Sequence, residues 1–420
     1  MKLSSLPLRS FGSAFAFLAV LSCSENLDNS GVCAVLCPPV GGEVQTVILD
    51  ATVTLDTTVQ ALSGFGAEPS LFLASRGDTL DTRVIIRFDS LPATFAPAGD
   101  TVQPIQSVDS AYIRLEIDTL TIKGAGPFTI DAYDVDTQAH DTSTAAILAL
   151  FRPDRLITSQ VFARSDLKDT LRYYLPNAAV LNRIQTGTHL RVGLQVSAPT
   201  SSQIRIGSAE GGVTPLLLFR ATPDTATKPL TVFPLSTTPV GEPIVASHLS
   251  DYTIVAKGPP PAAPSDLAVG GFPPHRVYIR FDIPSSIIDS TTVVRATLLL
   301  NQLPNPLLDP TDSVLILPQL VFAGKVVTDP AKATQIASEI VGDTLLVFPG
   351  GSGEKNVELA RAFSVWHSES PDSLPRAIVL KTLNEGNSLL EIRFSSSEDA
   401  SSLRPRLRIS YTSRVPLRVP

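Results

Sequence analysis

Apolar and polar residues alternate along much of the chain, as they do in β-strands. In 111–117 the apolar side chains fall at the odd positions and the polar ones at the even positions. Successive side chains of a strand point to opposite faces, so this strand turns one face to a core and the other to water. That pattern is typical of antiparallel sheets packed in a sandwich. Similar segments predict further strands at 44–55, 83–88, 119–122, 128–135, 189–196, 203–206, 215–219, 252–256, 276–281, 376–382, 390–394 and 405–411.

The strand pattern occurs twice. Ile86-Arg87-Phe88-Asp89 returns as Ile279-Arg280-Phe281-Asp282, and alternating strands follow both copies, at 111–117 and at 294–300. Each copy ends with two strands, a polar turn and a closing strand. Two homologous β-domains in tandem are the simplest explanation.

Helical signals are few and short. Helix-forming residues at suitable spacing predict helices in 142–151 and 177–184 of the first copy, and in 330–340 and 356–366 of the second. The predicted fold class is therefore all-β, with two tandem antiparallel β-sandwich (jelly-roll-like) domains and a few short helices.

Composition places the domain boundaries. Residues 222–228 have the composition of a linker, which divides the chain into domain 1 (44–221), domain 2 (229–412) and a tail (413–420). A second proline-rich stretch, 259–264, is either another linker or an extended surface loop, and the loop is favoured because strands are predicted on both sides of it.

The N-terminus has the pattern of an export signal. Basic residues precede an apolar run, 11–21, that is too short to span a bilayer as a mature helix. The run ends in Val-Leu-Ser-Cys, which resembles the lipobox of bacterial lipoproteins and predicts lipidation of Cys23; the alternative is an ordinary signal peptide with an incidental cysteine. We therefore predict a signal peptide (1–22), a flexible tether (23–43) and, because Ser24 follows Cys23, anchoring in the outer membrane.

Two more cysteines lie in the predicted tether. Cys33 and Cys37 can close a small disulfide loop in an oxidising compartment, or remain free thiols. The predicted domains contain no cysteine, so their stability must come from packing.

Composition also restricts the partners. With 43% hydrophobic and 17% charged residues, the 420-residue chain is predicted to be folded rather than disordered. The net charge of −7 is spread along the chain without a basic stripe, which argues against nucleic acid as a partner.

One family resemblance covers most of 44–412. The core strand Ile-Arg-Phe-Asp and the terminal pattern at 395–411 (Ser-Ser-Ser-Glu-Asp-Ala-Ser-Ser-Leu-Arg-Pro-Arg-Leu-Arg-Ile-Ser-Tyr) resemble the DNRLRE-type domain, with a weaker terminal match at 207–219. This family comprises β-sandwich modules of bacterial secreted proteins related to polysaccharide-binding modules. The resemblance implies the sandwich fold and suggests a polysaccharide ligand.

The repeated tetrapeptides supply one set of candidate ligand-binding residues. Arg87 and Asp89 share a strand face, as do Arg280 and Asp282, because they are two positions apart. An arginine beside a carboxylate can bind the hydroxyls of a ligand, or the two can pair with each other and the adjoining strand.

Two further features have a functional and a structural interpretation. Asp131, Asp134 and Asp136 supply hard oxygen ligands at close spacing, which is either a calcium site or a solvated strand end, since the glycine turn and terminal glutamate of a dedicated calcium loop are missing. Trp366, the single tryptophan, can stack on a sugar ring or pack its helix onto the sheet.

No catalytic constellation is recognisable. The five histidines are scattered, and neither a nucleophile elbow nor a pair of carboxylates in a glycine-rich cleft is present. We therefore predict a non-catalytic protein without a required cofactor that binds polysaccharide; the alternative is a structural or adhesion protein that binds a protein partner at the cell surface.

Overall fold

A computed structural model describes residues 44–49, 53–61, 66, 68–96, 101–137, 143–222, 228–237, 249–258, 260–305, 312–324, 326–368 and 374–413. Residues from Val44 onward form one compact unit. The predicted signal peptide and tether, with Cys23, Cys33 and Cys37, lie outside the described residues, as does most of the predicted linker.

β-Strands make up nearly half of the described chain and far exceed its helices. The first fifteen strands are β1 (Gln45–Leu49), β2 (Val53–Gln60), β3 (Ser70–Arg76), β4 (Leu80–Phe88), β5 (Thr94–Phe95), β6 (Gln103–Pro104), β7 (Val108–Glu116), β8 (Phe128–Asp134), β9 (Leu156–Phe162), β10 (Thr170–Tyr174), β11 (Leu190–Ser197), β12 (Ser202–Gly207), β13 (Leu216–Ala221), β14 (Leu230–Val232) and β15 (Asp251–Lys257). The remaining strands are β16 (Asp266–Gly270), β17 (His275–Phe281), β18 (Thr291–Leu303), β19 (Val314–Val321), β20 (Ala337–Ile340), β21 (Leu345–Val347), β22 (Gly353–Glu358), β23 (Ala377–Thr382), β24 (Glu391–Ser395) and β25 (Arg406–Ser413).

The helices are short, as predicted, and three of the four predicted helices are shorter than their predicted bounds. They are α1 (Thr144–Leu148), α2 (Asn177–Thr186), α3 (Ser285–Ile288), α4 (Pro330–Ala333) and α5 (Ala360–Ser368). The helix predicted at 330–340 stops after α4 and a 3-10 turn, and its last four residues form β20, paired with β19. The helix predicted at 356–366 begins only at Ala360, because the preceding residues pair with β18 as β22. In both places strand pairing outweighs a local preference for helix.

The first sandwich consists of two antiparallel sheets. One has seven strands in the order β12-β3-β4-β11-β8-β9, with β15 also paired to β4; the other has four, in the order β10-β7-β13-β14. The apolar faces of both sheets enclose one core, which contains Leu73, Ile86, Phe128, Val192 and Leu217.

The second sandwich has the same arrangement of two layers, but here strand pairing links the two layers into one sheet. β22-β18-β25-β1 form one layer, and β24-β16-β17-β23-β19-β20 form the other, with β2 on β17 and β21 on β19. The layers are continuous because the end of β18 turns to pair with β24. Ile279, Leu298, Trp366, Ile378 and Phe394 lie in its core. The all-β sandwich prediction is confirmed.

The repeated tetrapeptides occupy equivalent places. Ile86 in β4 is paired with Asp251 of β15, and Ile279 in β17 is paired with Asp56 of β2. The other layer has the same correspondence, because β14 pairs with β13 as β1 pairs with β25. The strands β1 and β2, here called the N-terminal strand pair, are thus the structural counterparts of β14 and β15.

The sheets do not follow the predicted division into 44–221 and 229–412. β14 and β15 belong to the first sandwich although they lie beyond the predicted linker, and the N-terminal strand pair belongs to the second. In the described part of the chain, β2 of the second sandwich is followed by β3 of the first, and β15 of the first is followed by β16 of the second. The proline-rich stretch is therefore a connection between sandwiches, which was the less favoured interpretation of the sequence.

None of the helices in the described ranges is long and apolar enough to cross a membrane.

Candidate functional site

Arg87 and Asp89 are enclosed and paired. Asp89 accepts two hydrogen bonds from Arg191, both 2.9 Å long, and Arg87 lies 3.3 Å away. The backbone N–H and the hydroxyl of Thr237 also donate to this carboxylate. Burial alone would raise the pKa of Asp89, but the hydrogen bonds from Arg191 and Thr237 and the charges of both arginines lower it. The geometry is that of structural pairing, with no approach for a ligand.

The second copy does not repeat these contacts. Arg191 is paired in register with Arg87, but the residue paired with Arg280 is Ala377. Asp282 is exposed to solvent, whereas the side chain of Asp89 is fully buried. The same tetrapeptide therefore has different surroundings in the two sandwiches.

Trp366 lies in the core. Its side chain is 5% exposed, and its ring packs edge-on against Phe363 of the same helix, with 5.2 Å between the ring centroids. The indole therefore packs α5 against the sheet and offers no face to a sugar.

Two of the acidic residues considered for calcium, Asp134 and Asp136, are paired with arginines. Asp134 accepts a 2.6 Å hydrogen bond from Arg183 and lies 3.4 Å from Arg155, while Asp136 lies 3.7 Å from Arg183. Asp131, three positions before Asp134 on β8, points to the opposite face of the strand. Among the described residues, no group of three or more His, Cys, Asp or Glu is placed to hold a metal ion.

A polar cleft of about 720 Å³ opens beside Asp134, between α2 and the start of β9. Its charged and amide side chains are planar groups that can form paired hydrogen bonds with neighbouring hydroxyls. The cleft is lined by Asp134, Arg152, Asp154, Arg155, Leu156, Ile157, Pro176, Ala178, Ala179, Asn182, Arg183 and Leu190.

Two tyrosines lie side by side on the outer face of the four-stranded sheet. Tyr112 and Tyr174 are paired in register, and their ring centroids are 5.8 Å apart. The guanidinium of Arg172 lies 5.3 Å from the ring of Tyr112. Tyr174 is 53% exposed, on an edge strand, so its ring is open to a ligand.

The tyrosine pair and the polar cleft lie at the same edge of the first sandwich. β9 and β10 are the edge strands of their sheets, and Gln160 of β9 donates a 2.6 Å hydrogen bond to the carbonyl of Tyr174 in β10. α2, which forms one wall of the cleft, begins three residues after Tyr174. An aromatic surface thus adjoins a cluster of hydrogen-bonding groups.

Sequence reasoning found only part of this site. The alternation in β7 placed Tyr112 on the water-facing side, and the acidic run drew attention to Asp134. Tyr174, Arg155 and Arg183 were missed, because they come from separate elements and no spacing rule links them.

A second group of carboxylates lies where β15 meets the turn after β12, and two of them, Asp251 and Glu68, are buried. Asp251 is 1% exposed, and its Oδ2 accepts a 3.0 Å hydrogen bond from the backbone N–H of Ala209. Burial, together with the nearby carboxylates of Glu210 and Glu68, raises the pKa of Asp251 to about 7, although the Ala209 hydrogen bond opposes this.

The second sandwich has an equivalent contact. Asp56 accepts hydrogen bonds from the backbone N–H and the hydroxyl of Ser397, at 2.7 and 2.6 Å. Burial and the charge of Glu398 raise the pKa of Asp56, while both bonds from Ser397 lower it. Asp251 lies on β15 and Asp56 on its counterpart β2. In each sandwich, this aspartate therefore binds the turn that precedes the closing strand, β13 or β25.

Comparison with known proteins adds no functional information. No protein-family model matches the chain, and no curated protein is similar to it. Two weakly similar structures are those of infectious bursal disease virus Gt strain (10% identity, 83% of this chain and 75% of that chain, TM-score 0.11) and of the VP2 subviral particle of infectious bursal disease virus (10% identity, 86% and 77%, TM-score 0.13). The resemblance to the DNRLRE-type domain stays a prediction.

Proposed function

We propose that the chain is a non-catalytic protein of the bacterial cell envelope whose first sandwich binds polysaccharide at the β9–β10 edge. Export and outer-membrane anchoring through Cys23 are part of this proposal and rest on the sequence alone. The observation that carries the binding function is the polar cleft next to the Tyr112–Tyr174 pair, in which Tyr174 is exposed and Tyr112 half-buried.

Sugar rings present two kinds of surface, and this edge offers a counterpart for each. The C–H face of a sugar ring packs on an aromatic ring, as at Tyr174. The hydroxyls bind planar donors and acceptors such as Arg183, Asn182 and Asp154. Ligand sites commonly combine such an apolar surface with a few convergent polar groups.

A glycan array probed with the mature chain tests the proposal. Replacing both tyrosines (Tyr112→Ala with Tyr174→Ala) should weaken binding of any retained glycan about tenfold or more, a change of about 1.4 kcal/mol, because both aromatic surfaces of the site are removed. Binding should be unchanged by a calcium chelator, since Asp134 and Asp136 are paired with arginines.

Phe233→Ala is the matched control, because Phe233 is an exposed aromatic residue of the same sandwich outside the site. A silent array, or equal losses in the control and the double variant, would contradict the polysaccharide proposal. A silent array together with a stable protein partner would favour the alternative, an adhesion or structural protein.

A further inference from the structure

A second recess lies between the two sandwiches. A groove of about 610 Å³ runs beneath the proline-rich connection, bounded by β2 and β16 on one side and by the start of β4 on the other. The backbone carbonyl of Pro260 accepts a 2.6 Å hydrogen bond from Arg393, which ties the connection down along the groove. This volume falls within the range of about 300–1,000 Å³ that is usual for ligand sites, and domain interfaces are common places for such sites.

The groove has apolar walls and acidic side chains. Leu80, Val255, Leu267 and Leu389 line it together with prolines of the connection. Its described charged residues are Asp56, Asp266, Glu391 and Glu398, with His275, and include no lysine or arginine.

The four carboxylates are not equivalent. Glu391 lies 2.9 Å from Arg393 and 3.5 Å from His275; burial would raise its pKa, but these two partners lower it. Asp56 has the opposite shift, raised by burial and by the negative charge of Glu398. The acidic side of the groove around Asp56 and Glu398 therefore gains stability when a positive charge is brought close.

The single aromatic residue of the groove does not suit a sugar. The ring of Phe272 packs edge-on against Phe72 of the first sandwich, with 5.7 Å between the ring centroids. The available contacts are instead small apolar surfaces beside carboxylates.

We propose that this groove binds a short extended peptide segment that carries lysine or arginine side chains beside apolar ones. The apolar side chains of such a segment lie against the leucine and proline walls, and its cations face Asp56, Asp266 and Glu398. The volume admits a few residues of a partner protein.

Fluorescence anisotropy with a labelled Leu-Lys-Leu-Lys tetrapeptide tests the proposal on the mature chain. Binding is expected at low salt and should weaken as salt screens the charges. Leu-Gln-Leu-Gln, which lacks the cations, and Ser-Lys-Ser-Lys, which lacks the apolar groups, should each bind at least tenfold more weakly.

The double variant Asp266→Asn with Glu398→Gln should lose at least tenfold in affinity for Leu-Lys-Leu-Lys. Asp289→Asn is the control, because Asp289 is exposed, has the same charge and lies outside the groove. Equal affinities of the control and the double variant would overturn the proposal. So would equal competition by spermidine, which would indicate a site for small organic cations. The peptide test is independent of the glycan test, because a chain that has lost glycan binding at the tyrosine pair should still bind Leu-Lys-Leu-Lys in the groove.

Discussion

At the scale of single residues, the same four amino acids have different roles in the two sandwiches. Asp89 is buried among Arg87, Arg191 and Thr237, whereas Asp282 meets solvent. One difference lies on the neighbouring strand, where Arg191 in the first sandwich corresponds to Ala377 in the second. A repeated motif therefore predicted the strand in each copy, but the partners of its side chains depended on residues outside the motif.

Arg191→Ala should destabilise the first sandwich strongly. Removing one partner of a buried ion pair typically costs about 3–5 kcal/mol, because the remaining charge stays buried without full compensation. Arg114→Ala is the control, since Arg114 forms a partly exposed pair with Glu116 and its replacement should cost about 1 kcal/mol or less. Urea unfolding monitored by circular dichroism measures both; similar losses would contradict the buried-pair interpretation.

Asp251 should make stability depend on pH near neutrality. Its pKa is about 7 in the folded chain and lower when unfolded, so the folded state takes up a proton that the unfolded state does not hold. The contribution of Asp251 to the free energy of unfolding should therefore increase as the pH falls from 8 to 6.

Asp251→Asn tests this linkage. The amide keeps an oxygen that can accept the Ala209 hydrogen bond but cannot ionise. The variant should gain stability relative to the native chain at pH 8 and lose that advantage at pH 6. A difference between the two proteins that does not change with pH would refute the assignment, and Asp289→Asn should show no such trend.

At the scale of elements, β15 of the first sandwich and β2 of the second are each joined to a neighbouring strand by a hydrogen bond to a threonine hydroxyl. The hydroxyl of Thr253 in β15 accepts a 3.0 Å hydrogen bond from the backbone N–H of Phe72, and that of Thr58 in β2 accepts one of 2.8 Å from Ala268. These bonds join β15 to β3 and β2 to β16. They lie where β3 diverges from its hairpin partner β4, and β16 from its hairpin partner β17. The same threonine hydrogen bond therefore occurs at equivalent positions in the two sandwiches.

Thr58→Val should weaken the attachment of the N-terminal strand pair. The substitution keeps the β-branched shape but leaves the buried Ala268 N–H without its acceptor, at a cost of about 1–3 kcal/mol. Thr57→Val is the matched control, because that hydroxyl makes only a 3.4 Å contact with a neighbouring carbonyl. Thr253→Val should act on the first sandwich as Thr58→Val acts on the second, and equal stability of all three variants would contradict this role.

Elements were more predictable than their partners. Strand alternation and the repeat predicted the sandwich class, and helix α2 lies where its pattern placed it. The sequence of 337–340 has no signal that distinguishes an edge strand from a helix end, since only pairing with β19 decides it. The cleft could not be predicted either, because it joins side chains from β8, β9 and α2 that alternation cannot place together.

At the scale of the molecule, the second sandwich is assembled from both ends of the chain and the first from its middle. The chain crosses between them twice, and Phe72 packs against Phe272 at their contact. Lys123 of the first sandwich also pairs with Asp312 of the second. We therefore expect the two sandwiches to unfold together.

Trp366 is the single tryptophan of the chain and reports on the second sandwich alone. Leu217→Ala creates a cavity in the core of the first sandwich and should lower the free energy of unfolding by about 2–5 kcal/mol. If the sandwiches are coupled, it should move the fluorescence transition of Trp366 to lower urea concentration. An unchanged transition would show independent unfolding, and Leu120→Ala, at an exposed position, is the control.

The pairing of β1 with β25 also constrains how the protein matures. Gln45 of β1 lies opposite Tyr411 of β25. β1 is the first of the described strands to be synthesised, but it can pair only after β25, the last of them, has left the ribosome. Domains usually fold in the order of their synthesis, but here the middle of the chain can finish while both ends are still unpaired. Closure of the second sandwich is therefore a late event, and a chain that is truncated near its C-terminus leaves β1, its earliest described strand, without a strand to pair with.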